Sequence, residues 1–183
     1  MLRPRLDAGF PPLWEGTVYL RKYLGAWSDG QSVTVADKTA QTIHIGADPR
    51  TVMGVIADIG SYPEWVSEYT QAEVLESDAE GYPTVARLVL EAAVLRDTMV
   101  LRYDWPPDRG SVRWSLVSSN LLKALEGAYT LRPSGSGTDV TYELAVDVVV
   151  PMIGLLKRKA ERRLTETALE DLRRRVEGGH DGR

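Results

Sequence analysis

Residues 56–69 read IADIGSYPEWVSEY, and this stretch decides how the chain folds. Helix-forming residues run up to Gly60, and a glycine at this point predicts the end of a helix. The residue before a proline favours extended backbone, so Tyr62 is expected to be extended before Pro63. A second short helix, PEWVSEYT, follows directly. The stretch therefore predicts two short helices separated by a bend, with Tyr62 and Trp65 at the bend.

A strand and a helix start precede this stretch. QTIHIGA, residues 41–47, alternates apolar and polar side chains, which predicts a strand. Asp48 followed by Pro49 predicts a helix start, because Asp is a good N-cap residue and proline fits the first helical turn. The apolar face of this helix is expected to contain Val52, Val55 and Ile56.

Six further segments have the composition of strands, and short turns rich in Gly, Pro, Asp or Ser separate most of them. Because short connections join antiparallel neighbours, these strands are expected to form one antiparallel sheet. The segments are AEVLES, TVARLVLEAAVL, DTMVLRYDW, SVRWSLVSS, ALEGAYTLRP and TDVTYELAVDVVV.

One long helix is expected after Pro151. The segment MIGLLKRKAERRLTETALEDLRRRVEG repeats apolar residues every three or four positions, which is the spacing of one helical face. Roughly 25 residues at about 1.5 Å each give a helix of about 38 Å. The predicted apolar face consists of Ile153, Leu156, Ala160, Leu164, Ala168, Leu172 and Val176.

Alternation divides each strand into an apolar face and a polar face. Only one long helix is available to cover the apolar faces of about seven strands. The sequence therefore predicts an α+β fold, in which a curved antiparallel sheet of about seven strands wraps around the long C-terminal helix. Two short helices follow the first strand.

The apolar faces of the strands carry many aromatic residues with a polar tip. A core that serves only packing would use more Leu, Ile and Phe, because each buried O–H or N–H needs a partner. Such rings opposite small helix residues predict a lined cavity; the alternative is that they simply fill the core between sheet and helix. The predicted cavity residues are Met99, Tyr103, Trp105, Trp114, Tyr129, Tyr142, Leu156, Ala160 and Leu164.

The composition offers little catalytic chemistry. The chain has no cysteine and two histidines, which excludes disulfides and thiolate metal sites. His44 lies between Ile43 and Ile45 and is expected to point to solvent. No carboxylate is expected on the apolar faces, although a different strand register would bring Glu91 or Asp97 there. We therefore expect no catalytic residue, no metal site and no cofactor.

The two ends of the chain differ from the predicted domain, residues 37–178. Residues 1–36 hold three of the ten prolines and show no sustained period, so they are expected to form a flexible leader, or to be absent if translation starts at Val35. The tail, residues 179–183, is expected to be disordered. No stretch is apolar enough to span a membrane and no secretory signal is present, so the expected compartment is the cytoplasm.

The long helix carries a basic cluster near its start, formed by Lys157, Arg158, Lys159, Arg162 and Arg163. One interpretation is solvated charge paired with Glu161, Glu166 and Glu170. The other is a contact with anionic lipid headgroups or with RNA. The formal net charge of -4 argues against nucleic acid as a partner.

The order of the elements, together with IADIGSYPEWV, LEGAYTL and GTDVTYELAVDV, resembles the START-like (SRPBCC) superfamily, in particular its polyketide cyclase/dehydrase and coenzyme-Q-binding branches. The resemblance covers residues 38–178 and implies a helix-grip fold with a cavity between the sheet and the C-terminal helix. It also implies that the bend forms the mouth of this cavity, with gate residues Gly60, Tyr62, Pro63 and Trp65. The alternative for Trp65 is an anchor that packs the helix pair to the sheet.

Three hypotheses of function follow from the resemblance and the aromatic residues together. The first is a non-enzymatic carrier of an apolar small molecule, such as a lipid, an isoprenoid quinone or a polyketide-like aromatic. The second is an enzyme of the polyketide cyclase/dehydrase type. The third is a module that docks a protein or a ribosome through the basic cluster.

Overall fold

The computed structural model describes residues 38–92, 95–149 and 154–178, with the backbone alone for residues 92, 95 and 154–160. These residues belong to the compact unit Val35–Arg183. The predictions for the leader, residues 1–36, and for the tail, residues 179–183, lie outside the described residues.

Seven strands form one antiparallel sheet, as predicted. Their order across the sheet is β1-β7-β6-β5-β4-β3-β2, so β1 and β2 form its two edges. All six neighbouring pairs are antiparallel, and β1 pairs with β7 from Thr39 opposite Leu144 to Ile45 opposite Thr138. The strands are β1 Thr39–Ile45, β2 Tyr69–Ser77, β3 Pro83–Ala92, β4 Leu95–Asp104, β5 Ser111–Ser118, β6 Leu122–Ser134 and β7 Gly137–Val148.

Helix α1, Pro49–Ala57, begins where the sequence predicts. The carboxylate of Asp48 accepts hydrogen bonds from the backbone N–H groups of Arg50 and Thr51 at 2.9 and 3.1 Å, which satisfies two of the donors that the helix start leaves free. The helix buries Val52, Met53 and Ile56 against the sheet.

The bend after α1 differs from the prediction in three respects. The helix ends at Ala57 rather than at Gly60, because Asp58 leaves helical geometry with ψ 65 and lets Ile59 turn into the core. Gly60 lies inside a 3-10 turn, Ile59–Ser61. Tyr62 is helical, with φ -51 and ψ -40, rather than extended. The preference before proline is overcome here, since this backbone brings the Tyr62 side chain into the core.

Helix α2 is shorter than predicted. It spans Tyr62–Trp65 only, because Val66 is extended and buried and the chain enters β2 from there. The two short helices after the first strand are thus present, with the second reduced to one turn.

Helix α3, Gly154–Gly178, is the long C-terminal helix and lies mainly against β1 and β7. Leu169, Leu172 and Val176 are buried, so the C-terminal half faces the sheet. The prediction for Leu164 is wrong, because this side chain is 40 % exposed and its neighbour Thr165 is fully buried. The predicted face is displaced by one residue in this part of the helix, since Glu161 and Thr165 occupy it instead.

Polar partners explain why two polar residues take the buried positions. Thr165 donates its hydroxyl to the Arg162 carbonyl at 2.9 Å. Glu161 accepts from the backbone N–H of Val146 at 3.1 Å and from the Thr39 hydroxyl at 3.4 Å. A buried polar group costs little once it is hydrogen-bonded, so these contacts override the apolar pattern.

Candidate ligand-binding site

Five rings form a continuous band across the concave face of the sheet, which we call the aromatic band: Tyr103, Trp105, Trp114, Tyr129 and Tyr142. Neighbouring centroids are 6.4 Å apart from Trp105 to Tyr103 and 6.1 Å apart from Tyr103 to Trp114. Trp114 is 5.4 Å from Tyr129 and 5.7 Å from Tyr142, and the last two stack at 4.6 Å. Alternation on β4 to β7 places four of these rings on the face that the sequence predicts, and Trp105, directly after β4, stacks on Tyr103.

Trp114 lies at the centre of the band and close to the backbone of Gly127. The two residues are cross-strand partners on β5 and β6. A Cβ atom at residue 127 would lie 2.2 Å from Cε2 of Trp114 and 2.5 Å from its Nε1. Only glycine therefore leaves room for the indole in this position. Sequence reasoning missed this role of Gly127, although an isolated glycine inside a strand is a known sign of close approach.

Most polar groups of the aromatic band form no hydrogen bond with the described residues. Within the described residues, the hydroxyls of Tyr103, Tyr129 and Tyr142 and the indole N–H of Trp114 have no hydrogen-bond partner. These four polar atoms also keep some contact with solvent. Within the described residues, the fully buried side-chain N and O atoms that lack a partner are Nε of Arg109 and Oδ2 of Asp171, and none of the four is among them. Four hydrogen-bond donors on this face are thus available to a bound molecule.

Burial keeps these tyrosines neutral. It raises the pKa of Tyr103, Tyr129 and Tyr142 well above the ordinary tyrosine value, and nearby tyrosines, Tyr69 in each case, add to the effect. Burial also raises the pKa of Tyr69, on β2, to about 12. At neutral pH the hydroxyls therefore act as donors to a carbonyl or hydroxyl oxygen rather than as anions.

The other predicted cavity residues have different surroundings. Met99 is buried in the core, and Trp105 donates its indole N–H to the Pro83 carbonyl at 2.6 Å. Leu164 is exposed, as described above. Leu156 and Ala160 lie on α3, but their side chains are outside the described residues. Whether these residues line a ligand stays a prediction.

The predicted gate residues lie in the 3-10 turn and α2. Tyr62 is buried and donates its hydroxyl to the Ile56 carbonyl at 2.6 Å. Trp65 packs edge-on against Tyr62 at 5.1 Å between ring centroids, with its Nε1 3.4 Å from Oγ of Ser61. These contacts favour the anchoring alternative for Trp65. The gate role of Gly60, Tyr62, Pro63 and Trp65 stays a prediction.

One carboxylate does lie on an apolar face, contrary to the expectation that there is none. Asp97 is 3 % exposed and accepts hydrogen bonds from the Ser119 hydroxyl at 2.5 Å and the Asn120 backbone N–H at 3.1 Å. It shares the strand face of Met99 and Tyr103, but its oxygens are used to hold the turn between β5 and β6. Its partners are tertiary, so the strand pattern alone could not show them.

The polar side chains outside the band have ordinary surface partners. His44 is exposed, as predicted, and its Nδ1 lies 2.9 Å from Oδ1 of Asp139. Arg162 pairs with Glu166 at 3.0 Å. The side chains of Lys157, Arg158 and Lys159 are outside the described residues.

Three further features of the described residues bear on what the protein can contact. A small surface pocket of about 120 Å³ is lined by Asp104, Pro106, Ser111 and Arg113 and shares no residue with the aromatic band. No group of three potential metal ligands comes together in the described part of the chain. None of its helices is long and apolar enough to cross a membrane.

The sequence pattern of one protein family, described as "Polyketide cyclase / dehydrase and lipid transport", matches residues 45–173. The chain belongs to this family. No curated protein sequence matches the chain. The description of this polyketide cyclase/dehydrase and lipid transport family names two kinds of role: binding of a hydrophobic ligand and a polyketide cyclase-type activity.

Solved structures agree with the fold of this polyketide cyclase/dehydrase and lipid transport family member. A START superfamily protein from Mycobacterium smegmatis is 22% identical, with a TM-score of 0.73 over 78% of this chain and 99% of that one. The STAR-related lipid transfer protein from Xanthomonas axonopodis is 17% identical, with a TM-score of 0.63 over 80% and 89%. The Zhui aromatase/cyclase from a Streptomyces species is 16% identical, with a TM-score of 0.61 over 77% and 93%.

Proposed function

We propose that this protein binds and carries an apolar small molecule that bears oxygen atoms, held between the aromatic band and helix α3. Lipids, isoprenoid quinones and polyketide-like aromatics are the candidate classes. The observation that carries the proposal is the set of four donors on an otherwise apolar face that have no partner within the described residues. A domain that used these rings only for packing would satisfy their polar tips, as it does for Tyr62 and Trp105.

The energetics of such binding are adequate. Burial of roughly 300 Å² of apolar ligand surface at about 25 cal/mol per Å² gives about 7.5 kcal/mol before other costs. The loss of ligand freedom reduces this value, and hydrogen bonds to the free donors offset part of the loss. Dissociation constants in the micromolar range are the expected scale.

Native mass spectrometry of the purified full-length protein tests the proposal, followed by solvent extraction and identification of any released compound. We expect a stoichiometric adduct that is lost in Trp114→Ala. Leu75→Ala is the matched control, because Leu75 is 38 % exposed on edge strand β2 and lies outside the band. An unliganded protein from several hosts that also binds none of oleate, anthraquinone and a short-chain ubiquinone would contradict the proposal.

A cyclase/dehydrase-type enzyme is the second candidate function. The free hydroxyls of Tyr103, Tyr129 and Tyr142 favour it, since a neutral tyrosine can polarise a substrate carbonyl by donating a hydrogen bond. If the protein turns over the compound that it binds, at least one of the three Tyr→Phe variants should lose turnover and keep binding. Full turnover in the triple variant would exclude this role for the tyrosines.

Contact with anionic lipid through the basic cluster is a finer proposal about partners. Arg162 and Arg163 are exposed on α3, which is compatible with it. Co-sedimentation with vesicles of phosphatidylserine and phosphatidylcholine would measure it, with Arg162→Gln/Arg163→Gln as the variant. Association that is equal for both proteins and insensitive to salt would contradict the proposal.

A further inference from the structure

The position of Trp114 depends on the absence of a side chain at residue 127. The three atoms nearest to a Cβ at residue 127 all belong to the indole: Cε2 and Cζ2 at 2.2 Å and Nε1 at 2.5 Å. These atoms belong to the rigid ring system rather than to the end of a flexible chain. Even the single methyl group of alanine would therefore displace the ring.

Residue 127 must be glycine because the Trp114 ring lies close to it, and not because of its backbone conformation. The positive-φ glycines among the described residues are Gly81 and Gly135, at turns, and Gly127 is not one of them. Its strand geometry is open to any residue. The ring that lies over it is what demands glycine at this position.

A displaced indole has one direction in which to move. Tyr103, Tyr129 and Tyr142 surround Trp114 on the same face, with centroid separations of 5.4 to 6.1 Å. The backbone of β6 lies beneath the ring, and the rings of the band flank it. The indole is therefore expected to rise from the sheet, into the space that the proposed function assigns to the ligand.

We propose that Gly127 is a specificity-determining residue, which sets the depth of the ligand site by letting Trp114 lie close to the sheet. The proposal rests on the proposed function for its consequence in binding. Gly127 touches no ligand itself and acts by positioning the indole. The height of the ring decides how large a rigid molecule fits between the band and α3.

A size series of inert aryl ketones tests the proposal: acetophenone, benzophenone and anthraquinone. In Gly127→Ala, we expect the dissociation constant of anthraquinone to rise about tenfold or more, and that of acetophenone to stay within about twofold of the wild-type value. The matched control is Gly54→Ala, because a Cβ at residue 54 meets nothing within 4 Å. It should leave all three constants unchanged.

Rescue separates positioning from simple damage to the fold. In Gly127→Ala/Trp114→Leu the displaced ring is gone, so the dissociation constant of anthraquinone should equal that of Trp114→Leu alone. A wild-type-like Gly127→Ala, or a loss of ketone binding in Gly127→Ala/Trp114→Leu beyond that of Trp114→Leu alone, would overturn the proposal.

A readout without ligand distinguishes this proposal from the proposed function. The near-ultraviolet circular dichroism of Gly127→Ala should change, because the indole leaves its contacts with three tyrosines, whereas that of Gly54→Ala should not. An unchanged spectrum means that the ring has not moved and overturns the seating of Trp114 by Gly127. If the spectrum changes as expected but the wild type binds no ketone and carries no native ligand, the proposed function is what fails.

Discussion

The guanidinium of Arg109 lies over the ring of Tyr82, with its central carbon 4.0 Å from the ring centroid. The same guanidinium donates to Glu80 at 2.6 Å and to Asp78 at 3.1 Å. Tyr82 in turn packs against Trp105 at 5.1 Å between centroids. One side chain from the β4–β5 turn thereby holds the β2–β3 turn and supports the outer end of the aromatic band.

Replacement of Arg109 by lysine should weaken this connection between the two turns. Lysine keeps the charge but cannot donate to two carboxylates in the planar geometry of a guanidinium while it stacks on a ring. We expect a fall in Tm of roughly 2–4 °C, measured by thermal unfolding of the full chain. Arg113→Lys is the control, since Arg113 is exposed and forms no ion pair within the described residues. Equal melting of both variants would show that the turns hold without the guanidinium.

Two Tyr→Phe substitutions should give opposite results. The Tyr62 hydroxyl donates to the Ile56 carbonyl in the core, so Tyr62→Phe is expected to lower the free energy of unfolding by about 1–2 kcal/mol. The Tyr129 hydroxyl has no partner within the described residues, so Tyr129→Phe should change stability by less than about 0.5 kcal/mol. Urea denaturation measures both. The reverse order of the two values would mean that the hydroxyls have been assigned the wrong roles.

Stability should fall in strongly alkaline solution. In the unfolded chain tyrosine ionises near its ordinary pKa of about 10, whereas burial holds the pKa of Tyr69 at about 12 and those of Tyr103, Tyr129 and Tyr142 well above the ordinary value. A raised folded-state pKa contributes stability that is complete below about pH 10 and is lost as the pH rises toward and through the folded-state value.

The measurement is a titration of tyrosinate absorbance, compared with urea denaturation at each pH. We expect the buried tyrosines to ionise together with unfolding, and all tyrosines to ionise near pH 10 in denaturant. Ionisation of every tyrosine near this value in the folded protein would contradict the burial of the band.

Two Leu→Ala substitutions on α3 test which of its faces packs on the sheet. Leu169 is fully buried, so Leu169→Ala is expected to lower the free energy of unfolding by about 2–5 kcal/mol. Leu164 is 40 % exposed, and Leu164→Ala should cost less than about 1 kcal/mol. Because both variants make the same change in the same helix, helix propensity cancels between them. A larger loss of unfolding free energy in Leu164→Ala than in Leu169→Ala would mean that α3 packs on the sheet with the face that the sequence predicts.

The strand pattern could be predicted because it depends on local chemistry. Alternation on β4 and β5 places Met99, Tyr103 and Trp114 on one face whatever strand lies beside them. The N-cap at Asp48 is equally local, since its acceptor and donors are two or three residues apart.

The features that escaped prediction depend on partners distant in the sequence. Glu161 takes a buried position because Val146 supplies a donor, and Asp97 does so because Ser119 and Asn120 supply donors. An apolar pattern assigns both to solvent, since it contains no information on those partners. The contact of Trp114 with Gly127 likewise could be predicted only from the register between β5 and β6, which places the two residues opposite each other.

Which tyrosine hydroxyls stay free is also a tertiary property. Tyr62 and Tyr129 are the same residue type with similar burial, and only the carbonyl of Ile56 distinguishes their hydroxyls. The candidate site could therefore be predicted as a set of rings, but the donors that it offers could not.

The pairing of β1 with β7 has a consequence for synthesis of the chain. Thr39 lies opposite Leu144, so about a hundred further residues are synthesised before the strand that β1 pairs with, among the described residues, is complete. A growing chain on the ribosome can close the hairpins from β2 to β6 one after another, because each joins sequence neighbours. The edge of β6 that β7 will cover stays open until near the end, and long-range pairings of this kind slow folding and expose strand edges. Loss of residues 137–183 would therefore remove helix α3 and also take away the strand that β1 pairs with among the described residues.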